Sequence, residues 1–270
     1  MRRPLLLRLL PGRVRHSIFC RWYRGKARHY LPLYKQAALD IAPGARMENL
    51  LPGDVISDFI AFTGLYEPAM TRRVSRLARR GGLMVDVGAN LGYFSLVWAA
   101  ASTHNRVVAF EAAPRNLEAL RRNELLNGME SQIQIYGAAA GKERRTLPFT
   151  LGDDTQTGWG GFAPTAESHT IEVDVVRIDE ALNPSDEIAL LKIDIEGADT
   201  WALIGCERLL RSHRIKEVWF EQNKPRMREL GIAEDAAEQF LRSCGYRLYA
   251  QSNRASELVE WSAVPIDGST

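Results

Sequence analysis

Cysteine is scarce and poorly placed for bridging. The 270-residue chain has three, Cys20, Cys206 and Cys244, odd in number and far apart, so neither a disulfide framework nor a C-x-x-C metal site is present. That usage suits a reducing compartment, and a cytoplasmic location is expected. The five histidines show no H-E-x-x-H or paired spacing, which argues against a zinc enzyme. No apolar run approaches the roughly 18 residues that cross a bilayer. Behind Arg2 and Arg3 the leucines are interrupted by Arg8 and followed by Pro11, too short a stretch for a signal peptide. No G-x-x-x-x-G-K-[ST] occurs, excluding a P-loop, and no nucleic-acid-binding motif is visible, so no nucleic-acid partner is expected.

What is present is globular: 46% hydrophobic and 25% charged residues, with length for one α/β domain plus an extension or for two small domains. Charge is unevenly spread. Ten Lys or Arg and no acid precede Asp40, whereas from Asp40 onward 25 basic residues face 33 acidic ones, a charge of −8. Residues 1–39 therefore read in two ways. They are an irregular arm packing on the acidic domain or a partner subunit, or a peripheral contact with anionic lipid at the inner face of a membrane. The second reading draws on Arg and Lys interleaved with Leu5, Leu6, Leu7, Ile18, Phe19, Trp22 and Tyr23. Pro4, Pro11 and Gly12 break any long amphipathic helix, and Tyr30, Leu31 and Leu33 add apolar surface that favours the packed arm.

From Gly81 onward short apolar strands alternate with helical segments. Strands are expected at 83–87, 106–110, 133–136, 188–195 and 215–220, and helices at 92–101, 115–127, 199–211 and 234–243. This alternation predicts an α/β fold with a doubly wound, mostly parallel sheet. Residues 142–176 break the order as a small antiparallel insertion with the Gly-rich DDTQTGWGGF (153–162) at its tip, expected to shape an acceptor pocket through Trp159 and Phe162. The expected organisation is a partly helical or irregular basic extension at 1–59, a catalytic domain at 60–252 and a tail at 253–270.

The stretch VDVGANLGYFS (85–95) runs from a buried strand through a glycine turn into a helix. Gly88 permits a tight turn beside a ligand, Gly92 lets the helix start lie close to it, and Asn90 supplies a polar side chain. Glu111 ends the next strand, 23 residues after Gly88, where a carboxylate accepts hydrogen bonds from ribose hydroxyls. The turn lacks the closely spaced glycines that admit a pyrophosphate, and Asp86 beside it repels phosphate but attracts an ammonium group. This favours S-adenosyl-L-methionine (SAM) over NAD. Lys192, Asp194 and Glu196 alternate along a later strand and share one face at the carboxyl edge, where ligands of such sheets bind.

In this order of motifs the chain resembles the FkbM-type SAM-dependent methyltransferases, within the class I Rossmann-like fold. GLYEP (64–68), VDVGANLGYFS, FEAAPRN (110–116), AAAG (138–141), KIDIEGAD (192–199) with Leu203 and Gly205, EVWFE (217–221) and GYRLY (245–249) carry the resemblance over roughly residues 60–250. Asp199 stands where Glu is commoner, and Cys206 where Ala is usual. The resemblance implies a seven-stranded sheet with its last strand antiparallel, SAM as donor, and O-methylation of a sugar, glycan, glycolipid or natural-product hydroxyl. Carried over by position, Asp86, Gly88, Ala89, Asn90, Gly92 and Tyr93 shape the methionine side. Glu111 holds the ribose, Asn116 and the backbone at Ala138–Ala139 lie near the adenine, and Tyr66 and Glu67 close over the cofactor. Asp194 is the expected base, with Lys192 and Glu196 positioning. A divalent metal bridging Asp194 and Glu221 stays open, as do two alternatives to the enzyme: an NAD-dependent dehydrogenase, which needs a pyrophosphate turn this chain lacks, and a catalytically silent SAM-binding scaffold.

Overall fold

The computed structural model describes residues 3–10, 12–165 and 170–266. His169, at the head of the expected insertion strand, Arg2 and Pro11 of the leader, and the last four residues of the tail lie outside them. Seven strands form the main sheet: β1 (Leu83–Val87), β2 (Arg106–Phe110), β3 (Ile133–Tyr136), β4 (Ile188–Ile193), β5 (Val218–Asn223), β6 (Tyr246–Ala250) and β7 (Leu258–Pro265). Their order across the sheet is β3-β2-β1-β4-β5-β7-β6. β1 through β5 pair in parallel, and β7 runs antiparallel to both β5 and β6. The α/β, mostly parallel seven-stranded sheet is thus as the sequence led one to expect.

Strand β1 is buried along its whole length, as its unbroken apolar run requires of a central parallel strand. Side chains alternate: Met84 and Leu190 enter the core on one face, and Val85, Val87, Leu191 and Ile193 the core on the other. Successive strands step outward from β1 through β2 to β3, and the chain then returns to β4 on the opposite side of β1. The carboxyl ends of β1 and β4 therefore flank the point where strand order reverses, where a crevice opens. Asp86 sits opposite Lys192 in that register, and the Asp194 amide donates to the Val87 carbonyl at 3.1 Å.

The small second sheet contains Ala139–Ala140, Arg145–Thr150, Gly161–Phe162 and Thr170–Val176; the last three pair antiparallel with one another, matching the expected insertion, and Thr170–Val176 runs parallel to Ala139–Ala140. Four expectations are corrected. Residues 253–270 are not a tail: Leu258–Pro265 fills the sheet between β5 and β6, burying Val259, Trp261 and Ala263. The helix expected over 199–211 is two, Asp199–Ile204 and Glu207–Arg211, separated at Gly205–Cys206, where a Cβ on Gly205 would strike the Gly141 carbonyl. The strand expected over 188–195 ends at Ile193, and the one over 215–220 is shifted to 218–223.

The leader is a layer of the fold. Short helices at Leu5–Leu9 and Gly12–Ile18, a π turn at Phe19–Tyr23, a 3-10 turn at Ala27–Tyr30 and a helix at Pro32–Lys35 place Leu7, Phe19, Leu33 and Tyr34 in the core. Phe19 meets Phe59 and Phe62 of helix Val55–Thr63 with ring centroids 4.9 and 5.1 Å apart. That helix crosses the boundary expected at residue 59, so extension and domain share one core.

Candidate active site

Two connected lobes occupy the crevice. The narrower, of about 550 Å³, lies against the β1 turn and the end of β2. Gly88 there has a φ of +75°, and a Cβ on it would strike the Asp194 backbone carbonyl, so glycine is required both for conformation and for the approach of the two loops. Glu111 is nearly buried, and its carboxylate accepts from the amides of Asn90 at 2.7 Å and Ala113 at 2.9 Å. Burial raises its pKa, and these two N–H donors work against that rise.

Asn116, also buried, donates through Nδ2 to the Thr157 carbonyl at 2.8 Å, while its Oδ1 has no partner. An orphaned acceptor at the wall of a pocket suits a ligand that brings a donor. Ala138, Ala139 and Phe149 give the same lobe an apolar lining. A purine edge with an amino group and a ribose with two hydroxyls match this set: an apolar slot, a carboxylate and one unpaired oxygen. The residues present fit the adenosine half of SAM: Glu111 would hold the ribose and Asn116 would meet the base.

The wider lobe, of about 1190 Å³, shares Gly88, Asn90, Asp194 and Glu196 with the first and is walled by Tyr66, Glu67, Ala89 and Tyr93. Lys192 is buried there between Asp86 at 3.6 Å and Asp194 at 3.5 Å, with its ammonium 5.2 Å from the Phe94 ring. Burial alone lowers its pKa, but the surrounding carboxylates, Asp194 and Asp86 foremost, raise it above the ordinary value. Carboxyl groups around it hold protons. Burial first and Asp194 second push Glu67, Glu196 and Asp199 each up to about 7, and Glu221 up to about 9. Glu67 and Glu196 adopt positive φ values of 40° and 51°, as does Asn90 at 52°; three non-glycine residues in this region border one crevice.

Two expected contacts differ in role. Asp86 borders neither lobe: it is fully buried beneath them, one oxygen accepting from Ser95 Oγ at 2.7 Å and the other facing Lys192. The ammonium expected beside Asp86 is therefore the chain's own. Gly92 also lies outside both lobes, its φ of +89° starting a helix against which Leu120 packs closely. Lys192, Asp194 and Glu196 do converge on the wider lobe, although Glu196 arrives there on a turn, where Asn223 donates to it at 2.9 Å.

Sequence reasoning did not single out the roof. Thr157 of the Gly-rich loop offers its carbonyl to both Asn90 and Asn116 at 2.8 Å, and its amide donates to Asp54 at 2.8 Å. Asp54 meanwhile caps helix Val55–Thr63 through the Ser57 amide at 2.8 Å. Arg115 holds the carbonyls of Asp154 and Gln156. The D-x-x-S capping pattern ahead of the helix was the available signal for Asp54. In the same loop Phe162 is core, packed on Phe149 and Trp201, whereas Trp159 stays exposed at the rim of the wider lobe. Asp194 and Glu221 line one lobe, yet among the described residues no group of three or more His, Cys, Asp or Glu is arranged to hold a metal ion.

Comparison with known proteins places this site. The family described as "Methyltransferase FkbM domain" matches residues 86–248. Methyltransferase 1 of Beauveria bassiana is 28% identical over 145 residues, covering 46% of this chain and 58% of its own length. Methyltransferase sdnD of Sordaria araneosa is 26% identical over 158 residues, covering 46% and 60%. The chain thus spans about three fifths of the length of these two relatives. The crystal structure of precorrin-6y C5,15-methyltransferase from Geobacter metallireducens aligns over 74% of this chain and 90% of that one, at 11% identity and a TM-score of 0.43. With the family match spanning both the glycine turn and the KIDIEG strand, the chain belongs to the FkbM methyltransferase family.

Proposed function

We propose that the chain transfers a methyl group from SAM to a hydroxyl of a polyhydroxylated acceptor, a sugar or the sugar end of a glycan, glycolipid or natural product. The observation that carries this reading is the lining of the wider lobe: Glu67, Asp194, Glu196 and Glu221 border one crevice, burial pushing Glu196 and Glu221 toward the protonated form, with the exposed indole of Trp159 at the rim. Protonated and ionised carboxyl groups pair with hydroxyls as donors and acceptors, and a flat indole suits the apolar face of a sugar ring.

Bound SAM supplies an electrophilic methyl on a sulfonium. Asp194, at the junction of the lobes, is placed to take the hydroxyl proton as the acceptor oxygen attacks. Lys192 holds one Asp194 oxygen and so fixes the direction of the other. Glu221, which keeps its proton beyond neutrality, and Glu196, poised near it, orient further hydroxyls. The family match, together with a turn that lacks the glycines a pyrophosphate needs, sets aside the dehydrogenase alternative. Alignment of acceptor oxygen, methyl and sulfur supplies much of the rate in such a displacement.

The test is product mass spectrometry with SAM and a panel of sugars and glycosides, repeated for Asp194→Asn. Turnover should fall on the order of 100-fold or more, the usual weight of a general base, while S-adenosylhomocysteine still binds. Unchanged turnover would remove Asp194 from the chemistry. Binding of S-adenosylhomocysteine without methyl transfer to any acceptor would favour a silent scaffold.

A further inference from the structure

The leader that packs inward also has an outer side, and that side is neither polar nor neutral. Leu5 is 64% exposed, Leu9 75%, Trp22 58% and Leu31 49%, while Leu7, Phe19 and Leu33 from the same short elements are in the core. Large apolar side chains so exposed, alternating with buried ones along one layer, are unusual for a surface that meets only water. Between them stand Arg8, Arg21, Arg24, Lys26 and Arg28, all exposed. Among the described residues the ion pair of this leader is Arg15 with Asp40, and Arg24 lies in the field of Asp58; Arg8, Arg21, Lys26 and Arg28 are in no described ion pair. Residues 1–80 carry sixteen basic residues against five acidic ones, a charge of +11, and the remainder −9.

We infer that Leu5, Leu9, Trp22 and Leu31, with Arg8, Arg21, Lys26 and Arg28 among them, form a face that docks on an anionic lipid bilayer, the apolar side chains in the headgroup layer and the cations on lipid phosphates. Charge complementarity identifies the occupant as anionic. The apolar side chains among the cations favour a bilayer over a nucleic acid, whose phosphates would leave them in water. The docking face is rigid, because its inner side is locked by Phe19 on Phe59 and Phe62. It is also joined to the site: helix Val55–Thr63 receives the leader at Phe59 and Phe62 and lends Ile56 to the wider lobe. Docking does not depend on what the acceptor is, and vesicle binding tests it apart from methyl transfer.

Deleting the leader would uncover the core, so point variants on the full chain are the instrument. Sedimentation with phosphatidylcholine vesicles, with and without phosphatidylglycerol, should show binding confined to the anionic set and weakening steeply with added salt. Each basic residue near such a surface is worth about a fivefold change in affinity, so Arg8→Gln/Arg21→Gln/Arg28→Gln should weaken binding on the order of 100-fold. Leu9→Ser/Trp22→Ser should weaken it at high salt as well as low. Both variants should keep the wild-type unfolding temperature, since the altered side chains support no described ion pair. Absent or charge-independent vesicle binding by the wild type overturns the inference. So does a short RNA that outcompetes the vesicles, or self-association through Trp22 without lipid.

Discussion

Replacing Lys192 by Met tests the reading of the crevice floor. The ammonium stands between two carboxylates of unequal exposure: Asp86 is sealed from solvent, whereas the Asp194 side chain is 37% exposed. Water can rehydrate Asp194, so that pair contributes little, as exposed pairs do. Asp86 has no such recourse. One of its oxygens keeps Ser95, and the other, without a hydrogen bond, faces only the lysine among the described residues. Removing one partner of a buried pair costs about 3–5 kcal/mol, and Met restores the contact with Phe94 by a sulfur–aromatic approach, so the loss is electrostatic. Against a typical stability of about 5–15 kcal/mol, Lys192→Met should be folded but fragile. Asp86→Asn/Lys192→Met, which removes both charges, should recover most of the loss. Urea unfolding of wild type, both single variants and the double variant gives the cycle. A loss below about 1 kcal/mol in Lys192→Met, or a double variant as unstable as that single one, would refute the argument.

Further outcomes follow from the same geometry. Glu111→Gln leaves one carbonyl to serve two amide donors and turns an NH₂ toward the other; losing a charged hydrogen bond costs about 1.5–3 kcal/mol, so calorimetry should show S-adenosylhomocysteine binding roughly 10- to 100-fold weaker. Gly88→Ala forces a left-handed alanine, about 1–2 kcal/mol, and drives its methyl against the Asp194 carbonyl, so both cofactor affinity and unfolding temperature should fall. Asp199, fully buried, keeps a proton in the folded chain up to about pH 7 that the unfolded chain releases near 3.8. Stability should therefore decline as pH rises between those values and level off above, and Asp199→Asn should flatten part of the decline in urea midpoints; an unaltered slope removes Asp199 as its source.

The central strands were legible because both of their faces are buried, which leaves an uninterrupted apolar run such as LMVDV. The last strand was not: LVEWSAVP buries alternate residues, a pattern short enough to pass for a loop, and it follows the polar QSNRASE. The leader hid its packing for a related reason. Its buried residues follow α, π and 3-10 turns in quick succession, so no single period marks Leu7, Phe19 and Leu33 as one face. At the site, spacing found Glu111 and the Lys192–Glu196 stretch, since these follow strands fixed by the sheet, while Asn116, on helix Pro114–Leu126, was reached through the family resemblance. Asp86 was misjudged because its ammonium comes from Lys192, distant in sequence and adjacent in register. Asp54 and Thr157 escaped: D-x-x-S marks a helix start rather than a site, and a loop carbonyl has no chemical signature until the fold brings the two together.

The roof has a consequence for both lobes. Thr157 is a keystone, touched from below by Asn90 and Asn116 and from the side by Asp54. Lifting it breaks all three contacts together and frees the Asn116 amide beside the oxygen that already lacks a partner. Gly158, the next residue, walls both lobes, so the loop moves as one piece and a shift at its keystone reshapes the narrow and the wide lobe together.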